Sequence, residues 1–266
     1  MTDTIQTPPA ATSTWQAQPI SEEVLREKYA KGEEQSILDV NRRVARALAQ
    51  AEPPEHQKHW EARFLHALQH GFLPAGRIQS AAGTDLRVGL AGARIGGVWG
   101  FTTKPGTLSH WPGGLVLAFP AAGSVNGTLV LDRGDVNLTF KRYLQEPVKL
   151  VIESDHAVSV EGDGTDAELM RGYLAAWGQS AEDRAAYAVS HLGWGLNRRA
   201  RWDAMTFYDK RDFNGTELRA FAGNFLYSTG ANEVAGRHTL GHFDLPLRGC
   251  TVLLDGVAVV NKGVLL

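Results

Sequence analysis

From Leu86 onward the chain is written in short apolar runs cut by glycine: RVGLAG, ARIGGVWGF, LVLAFP, GTLVLDRG, DVNLTFKRYL, PVKLVIES and HAVSVEG. Runs this short, rich in Val, Leu and Ile and closed by turn residues at both ends, fold as strands rather than helices. Residues 86–162 are therefore expected to be mainly sheet. Asp166 is expected to cap a helix through Trp177, with Leu169, Tyr173 and Ala176 on one stripe, and a second helix is expected from Ala181 to Val189. Strands at CTVLLDG and VAVV close the chain.

Upstream of the sheet the pattern is different. Residues 1–20 are rich in Thr, Pro, Ala and Gln with no periodicity, a composition that cannot bury enough surface to offset ordering entropy, so a disordered tail is expected. Ser21 followed by Glu22 and Glu23 marks a helix start, and Gly32 its stop. In a second helix from near Ser36, Ile37, Val40, Val44, Ala47 and Leu48 recur at helical spacing, leaving Arg42, Arg43 and Arg46 on a solvated face. Pro53-Pro54 breaks the chain, and Trp60, Phe64 and Leu68 mark a third helix ending at Gly71. The expected class is α+β: a helical segment over 21–82, then a mainly β domain of catalytic type with a few helices over 83–266.

Charge excludes several classes of partner. With 27 Lys and Arg against 29 Asp and Glu, the net charge of −2 draws the chain to neither nucleic acid nor an anionic membrane. A small molecule is the expected partner, and a homo-oligomer is left open. The single cysteine, Cys250, permits no intrachain disulfide and no cysteine-rich zinc module, which fits a reducing, cytoplasmic setting. No apolar run of roughly 18 residues and no secretory signal pattern occurs. Nor is there a P-loop or a dinucleotide fingerprint.

Polar ligand types converge in one glycine-rich stretch, GNFLYSTGANEVAGRHTLGHFDLPLRGCTVLLD from Gly223 to Asp255. If His242-Phe243-Asp244 is extended, His242 and Asp244 project to one side, offering an imidazole nitrogen and a carboxylate to a single metal ion. His191, in SHLGWGLN, is the best candidate for a third ligand, giving the two-histidine, one-carboxylate set of non-haem Fe(II) oxygenases. The competing reading is a hydrogen-bonded His–Asp pair in a turn before Pro246. His238 lies four residues before His242, but Gly236 and Gly241 argue against the helix a zinc-protease spacing would need. His110, in SHWPGG, is a candidate proton acceptor or simply a hydrogen-bonded loop histidine. Glu217 and Arg219 in GTELRAF would alternate onto one strand face, and Trp111, Trp194 and Trp202 are candidate walls of an aromatic pocket.

Two resemblances add to this reading. Residues 19–86, with GFLPAGRIQSAAGTDL as their most specific run, resemble the N-terminal region of adenosylcobalamin-dependent (class II) ribonucleotide reductases. That chemistry needs a radical cysteine and a reducing cysteine pair, which one cysteine cannot supply, so the resemblance implies at most a non-catalytic binding or assembly module. Residues 83–266, through GVWGFTTKPGTLSHWPGGLVLAFPAAGSVNGTLVLDRGDVNLTF, SHLGWGLN, GTELRAFAGNFLYSTGANEVAGR and TLGHFDLPLRGCTVLLDG, resemble the 2,5-dihydroxypyridine 5,6-dioxygenases of nicotinate and nicotine catabolism.

This second resemblance implies Fe(II) held by His191, Ser228, His242 and Asp244, with Ser228 binding directly or through water and His110 acting in proton transfer. It implies a small aromatic N-heterocyclic substrate and dioxygen as partners, and ring cleavage between C5 and C6. The family is related in fold to two-metal aminopeptidases that use a Pro-Gly-Gly-Glu segment and a further glutamate. Here Leu115 follows Pro112-Gly113-Gly114 and His191 replaces the second glutamate, which disfavours two-metal hydrolysis. The two resemblances together read as a fusion joined near Gly83-Thr84-Asp85-Leu86. On that reading the dioxygenase N-terminal domain is replaced, and activity is expected to suffer.

Overall fold

The computed structural model describes residues 30–50, 52–70, 75–102, 104–178 and 183–266. The tail over 1–20 and the helix expected from Ser21 to Tyr29 lie outside the described residues. The chain divides into two compact units, Met1–Phe72 and Leu73–Leu266.

In the first unit two helices, α1 (Ile37–Ala49) and α2 (Gln57–His70), pack on each other. Ser36 starts α1 with a reciprocal cap: its hydroxyl accepts from Asp39 N at 3.2 Å and Asp39 Oδ2 accepts from Ser36 N at 3.1 Å. Arg42 and Arg46 are exposed as expected, Arg46 reaching Glu61 on α2 at 3.2 Å, whereas Arg43 is half-buried and paired to Glu34; the buried face is Val40, Ala45 and Ala49, and Ala47 and Leu48 of the expected stripe are exposed.

The second unit is built on two antiparallel sheets. Its strands in chain order are β1 (Ala75–Gln79), β2 (Asp85–Gly89), β3 (Arg94–Val98), β4 (Leu115–Phe119), β5 (Val125–Leu131), β6 (Val136–Asn137), β7 (Arg142–Tyr143), β8 (Val148–Glu153), β9 (His156–Glu161), β10 (Val189–Gly195), β11 (Phe225–Thr229), β12 (Phe243–Leu247), β13 (Thr251–Leu254), β14 (Val257–Asn261) and β15 (Val264–Leu265). Helix α3 (Thr165–Trp177) follows β9, and the one-turn α4 (Thr216–Ala220) precedes β11. The larger sheet has the order β15-β14-β13-β1-β2-β5-β8-β9 and the smaller β12-β11-β10-β4-β3, with β6 and β7 forming a separate pair.

One apolar core joins the sheets. Leu86, Leu129 and Leu150 come from the larger, Phe225, Tyr227, Phe243 and Leu245 from the smaller, and Met170 and Leu174 from α3. Strand β8 alternates buried and partly exposed positions, as a half-buried strand does, whereas every residue of β11 and β12 is buried. Pro246 is tolerated in β12 because that strand is the sheet's edge, where no second neighbour needs its N–H. Gly193 is required in β10, since a Cβ there would collide with the Val116 carbonyl on β4.

Four expectations are corrected. The β unit begins at Leu73, not at 83: the run GRIQSAAGTDL forms the β1–β2 hairpin, with β1 paired to β13, so these residues are sheet and not helical segment. Among the described residues of Ala181–Val189 only a short 3-10 turn at Ala185–Tyr187 is helical, and Val189 already begins β10. Helix α3 starts at Thr165 without a side-chain cap; buried Asp166 instead accepts from Gln145 N at 2.7 Å and pairs with Arg142 at 3.0 Å. Its fully buried face is Ala167, Met170 and Leu174, leaving Leu169 43% exposed. Lastly, Glu217 and Arg219 lie on α4, not on a strand, because Asn214-Gly215 turns the chain into a helical start. No helix among the described residues is long and apolar enough to cross a membrane.

Candidate metal centre

Strand register places the site. His191 on β10 lies opposite Ser228 on β11, and Ser228 lies opposite Asp244 on β12. The three residues form one row across adjacent strands, so their side chains rise from the same face of the smaller sheet. His242 precedes β12 by one residue and, two positions from Asp244, returns to that face.

The backbone around His242 is held from three directions. Its N–H donates to the Tyr173 hydroxyl of α3 at 3.1 Å, and its carbonyl accepts from Thr139 Oγ1 at 2.8 Å. On the third side Gly230, at φ 117°, lets the two chain segments approach: a Cβ there would lie 2.5 Å from Gly241 O and 3.2 Å from His242 Nδ1. The Tyr173 ring packs on Phe243 with centroids 4.6 Å apart, so a core contact and the positioning of a site residue use the same side chain.

The side chains converge on Asp244 Oδ1. His242 Nε2 is 3.2 Å from it and His191 Nε2 3.5 Å, while the Ser228 hydroxyl donates to it in a short hydrogen bond. One ligand atom from each of His191, His242 and Asp244 lies within 4.8 Å of the others. The two imidazoles stack at 5.6 Å between centroids, and Phe119 also packs on His191, at 5.2 Å. Oδ2, the other carboxylate oxygen, is taken by Arg219, whose Nε donates at 2.7 Å and whose second nitrogen lies 2.6 Å away. Arg219 is anchored in turn by donation to Asn214 O at 2.8 Å, and its neighbour Leu218 is fully buried in a second apolar cluster with Leu138, Met205 and Phe213.

Burial works against charge on Asp244, and its surroundings overcome it. Desolvation alone would raise its pKa, but hydrogen bonding from His191 and His242 and the nearby charge of Arg219 hold the carboxyl well below the usual range. The side chains of Asp244, His191 and His242 are 6%, 13% and 41% exposed, so the centre opens to solvent past His242. Two nitrogen donors and one ionised oxygen facing one point, with a hydroxyl beside them, fit a single divalent transition metal with positions left for exogenous ligands.

His191, Ser228, His242 and Asp244 are thus brought together, and the His–Asp contact foreseen as a competing reading is part of the same constellation. His238 and His110 are not in this group. His238 lines a polar surface concavity with Asp155, His156 and Arg184. His110 is exposed in the loop between β3 and β4, on a concavity it shares with Trp99, Phe101 and Leu108. The three tryptophans do not wall one pocket: Trp194 packs against the main core, Trp202 against Phe221 at 5.4 Å, and Trp111 is 76% exposed. Sequence reasoning missed Arg219 as the partner of Asp244, and it missed Ser190, Tyr173 and Thr139 as supports of the histidines.

A family model described as 2,5-dihydroxypyridine 5,6-dioxygenase matches residues 29–266. The chain belongs to that family. The match begins ahead of both helices and runs through the β1–β2 hairpin, so it takes in residues 29–86 of the 19–86 segment read as reductase-like, and neither the reductase resemblance nor the fusion gains support. A curated relative, 2,5-dihydroxypyridine 5,6-dioxygenase of Pseudomonas putida KT2440, is 42% identical over 188 residues, which is 70% of this chain and 52% of the relative. The chain therefore spans about half the length of that relative. The solved structure of 2,5-dihydroxypyridine dioxygenase from P. putida KT2440 superposes with a TM-score of 0.68 at 32% identity, over 94% of this chain and 68% of that one. AmpT from Thermus thermophilus, 19% identical, shares the fold with a TM-score of 0.52 over 82% of this chain and 62% of its own.

Proposed function

We propose that this chain carries the iron centre of a ring-cleaving dioxygenase acting on 2,5-dihydroxypyridine, with His191, His242 and Asp244 as ligands and Ser228 beside them. The observation that carries the reading is the convergence of His191 Nε2, His242 Nε2 and Asp244 Oδ1 within 4.8 Å in a chain of this family. Fe(II) bound there would supply the redox chemistry by which dioxygen opens the ring between C5 and C6.

The protein's own part is positioning and electrostatics. Asp244, kept ionised, places one negative charge against a divalent cation, so two neutral imidazoles leave the centre net positive and attractive to a hydroxypyridine oxygen. Arg219 holds Oδ2 and leaves Oδ1 facing the histidines. Ser228 donates to that same oxygen, and on metal binding its hydroxyl is free to turn toward the ion or toward a bound water. The opening past His242 is the route for substrate and dioxygen. His110 is proposed as the proton acceptor on the strength of the family resemblance, acting from the loop between β3 and β4. A reducing, cytoplasmic setting is part of the proposal and agrees with a single, buried Cys250.

Two-metal hydrolysis is not favoured, because the metal-ligating group among the described residues contains one carboxylate and such sites need several to hold two ions together. The test is oxygen uptake by the iron-replete chain with 2,5-dihydroxypyridine, alongside iron analysis of the same sample. Uptake with loss of the substrate is expected. A folded protein holding iron that consumes no oxygen with this substrate would reject the activity, and one that takes up no iron would reject the centre itself.

A further inference from the structure

Strand β10 carries an irregularity just ahead of the metal row. Val189 pairs with Thr229 and His191 with Ser228, so Ser190 is an extra residue with no partner on β11. Such a bulge re-aims a side chain next to a site without disturbing the ladder beyond it. Ser190 is 2% exposed, and its hydroxyl makes two polar contacts, one of them to a residue of the centre. Its hydroxyl lies 2.6 Å from the Ala231 carbonyl, in the chain leaving β11, and 3.0 Å from His191 Nδ1.

These two contacts fix a proton. A carbonyl oxygen only accepts, so the Ser190 O–H is committed to Ala231, and toward His191 the serine oxygen offers only lone pairs. His191 Nδ1 must then be the N–H donor. With Nδ1 committed as a donor to Ser190, Nε2 is the nitrogen turned to Asp244 and His242: in the metal-free chain it can donate to the Asp244 carboxylate, and a metal binding there takes the place of that proton. We propose that Ser190 is a positioning residue: it keeps the Nδ1 proton of His191 in place and fixes the ring orientation, so that Nε2 is the nitrogen presented to a metal. This rests on the metal-centre reading given above. The family resemblance covers SHLGWGLN but gives the serine no task, and the task follows from the bulge and from which atoms can donate.

The Nδ1 proton can be read in the metal-free full chain by long-range proton–nitrogen NMR of the histidine rings, which distinguishes protonation on Nδ1 from protonation on Nε2. The expected wild-type signature for His191 is a proton on Nδ1, whether or not Nε2 also carries one. Ser190→Ala should lose that preference and bind Fe(II), or Co(II) as a spectroscopic probe, about 10–100-fold more weakly, as when an outer-shell partner of a metal-bound histidine is removed. Ser190→Thr, which keeps the hydroxyl, should restore both, and the circular dichroism of each variant confirms that the fold is intact. A wild-type His191 with no proton on Nδ1 overturns the proposal, as does a folded Ser190→Ala chain that binds Co(II) as tightly as wild type. The expected Nδ1 proton in a wild-type chain that takes up neither metal would uphold the proton assignment and overturn the metal reading instead.

Discussion

Asp244 and Asp135 are equally buried, each 4% exposed, yet they hold their protons oppositely. Asp135 accepts only backbone N–H groups, from Arg248 at 2.9 Å and Asp132 at 2.8 Å. Burial dominates there and pushes its pKa up to about 6 despite those bonds and the Arg248 charge. Asp244 has a serine hydroxyl, two imidazoles and a guanidinium around it, and its pKa falls well below the usual range. Depth does not make a carboxylate a metal ligand; side-chain donors and positive charge do, by keeping it ionised where water cannot.

The most forceful way to break this comparison is Asp244→Asn. The amide keeps the size of the side chain but removes the charge, and it can no longer accept at both ends from Ser228, the imidazoles and Arg219. Metal affinity is expected to fall by more than ~100-fold, beyond the range seen for outer-shell changes. Isothermal titration with Co(II) checks it; a variant that binds within a few-fold of wild type would mean that Asp244 is not a ligand.

Asp135→Asn sharpens the same comparison through pH. A carboxyl whose pKa is raised from 3.8 to about 6 on folding contributes stability that is fully present below the unfolded value and is lost as pH rises through about 6. Its ionisation above that window costs about 3 kcal/mol of stability relative to acid pH. Asp244 runs the other way: its contribution is present above the unfolded carboxylate pKa and is lost only as pH falls through its lower folded value. Urea unfolding of wild type and Asp135→Asn between pH 4 and pH 7 should therefore differ in slope, with the fall in stability on raising pH reduced in the variant. Equal slopes would show that Asp135 titrates normally.

How much of this was legible in the sequence depends on the length scale of each signal. The β-rich character after Leu86 and the shared face of His242 and Asp244 follow from the period of two along extended chain, and both are present in the structure. His191 was named as a candidate ligand from SHLGWGLN, although nothing local says that these residues form β10 and pair with β11 in the register that puts it opposite Ser228. The bulge at Ser190 leaves no compositional mark. GTELRAF is too short for a period of two to be told from one of 3.6, so Arg219 was placed on a strand and its bond to Asp244 was missed. On α3 the apolar Leu169 drew the stripe off the buried face, because an exposed leucine reads in sequence like a buried one.

The smallest expected effect comes from setting two arginine–aspartate pairs side by side. Arg77 meets Asp85 through two hydrogen bonds of 2.9 Å, one to each carboxylate oxygen, and it lowers the Asp85 pKa as Arg219 helps to lower that of Asp244. The contact distances are alike, but the Arg77 and Asp85 side chains are 47% and 45% exposed, where water and salt compete for both charges. Arg77→Met should leave the urea midpoint almost unchanged, with any shift disappearing in high salt. Arg219→Met leaves a buried carboxylate with fewer donors and frees Oδ2 to rotate toward the metal position, so it should weaken Co(II) binding about 10–100-fold whatever the salt. If instead both variants lose stability alike, or the Arg219 effect vanishes with salt, the centre is more hydrated than its burial implies. The contrast between an enforced carboxylate and a merely paired one would then fail.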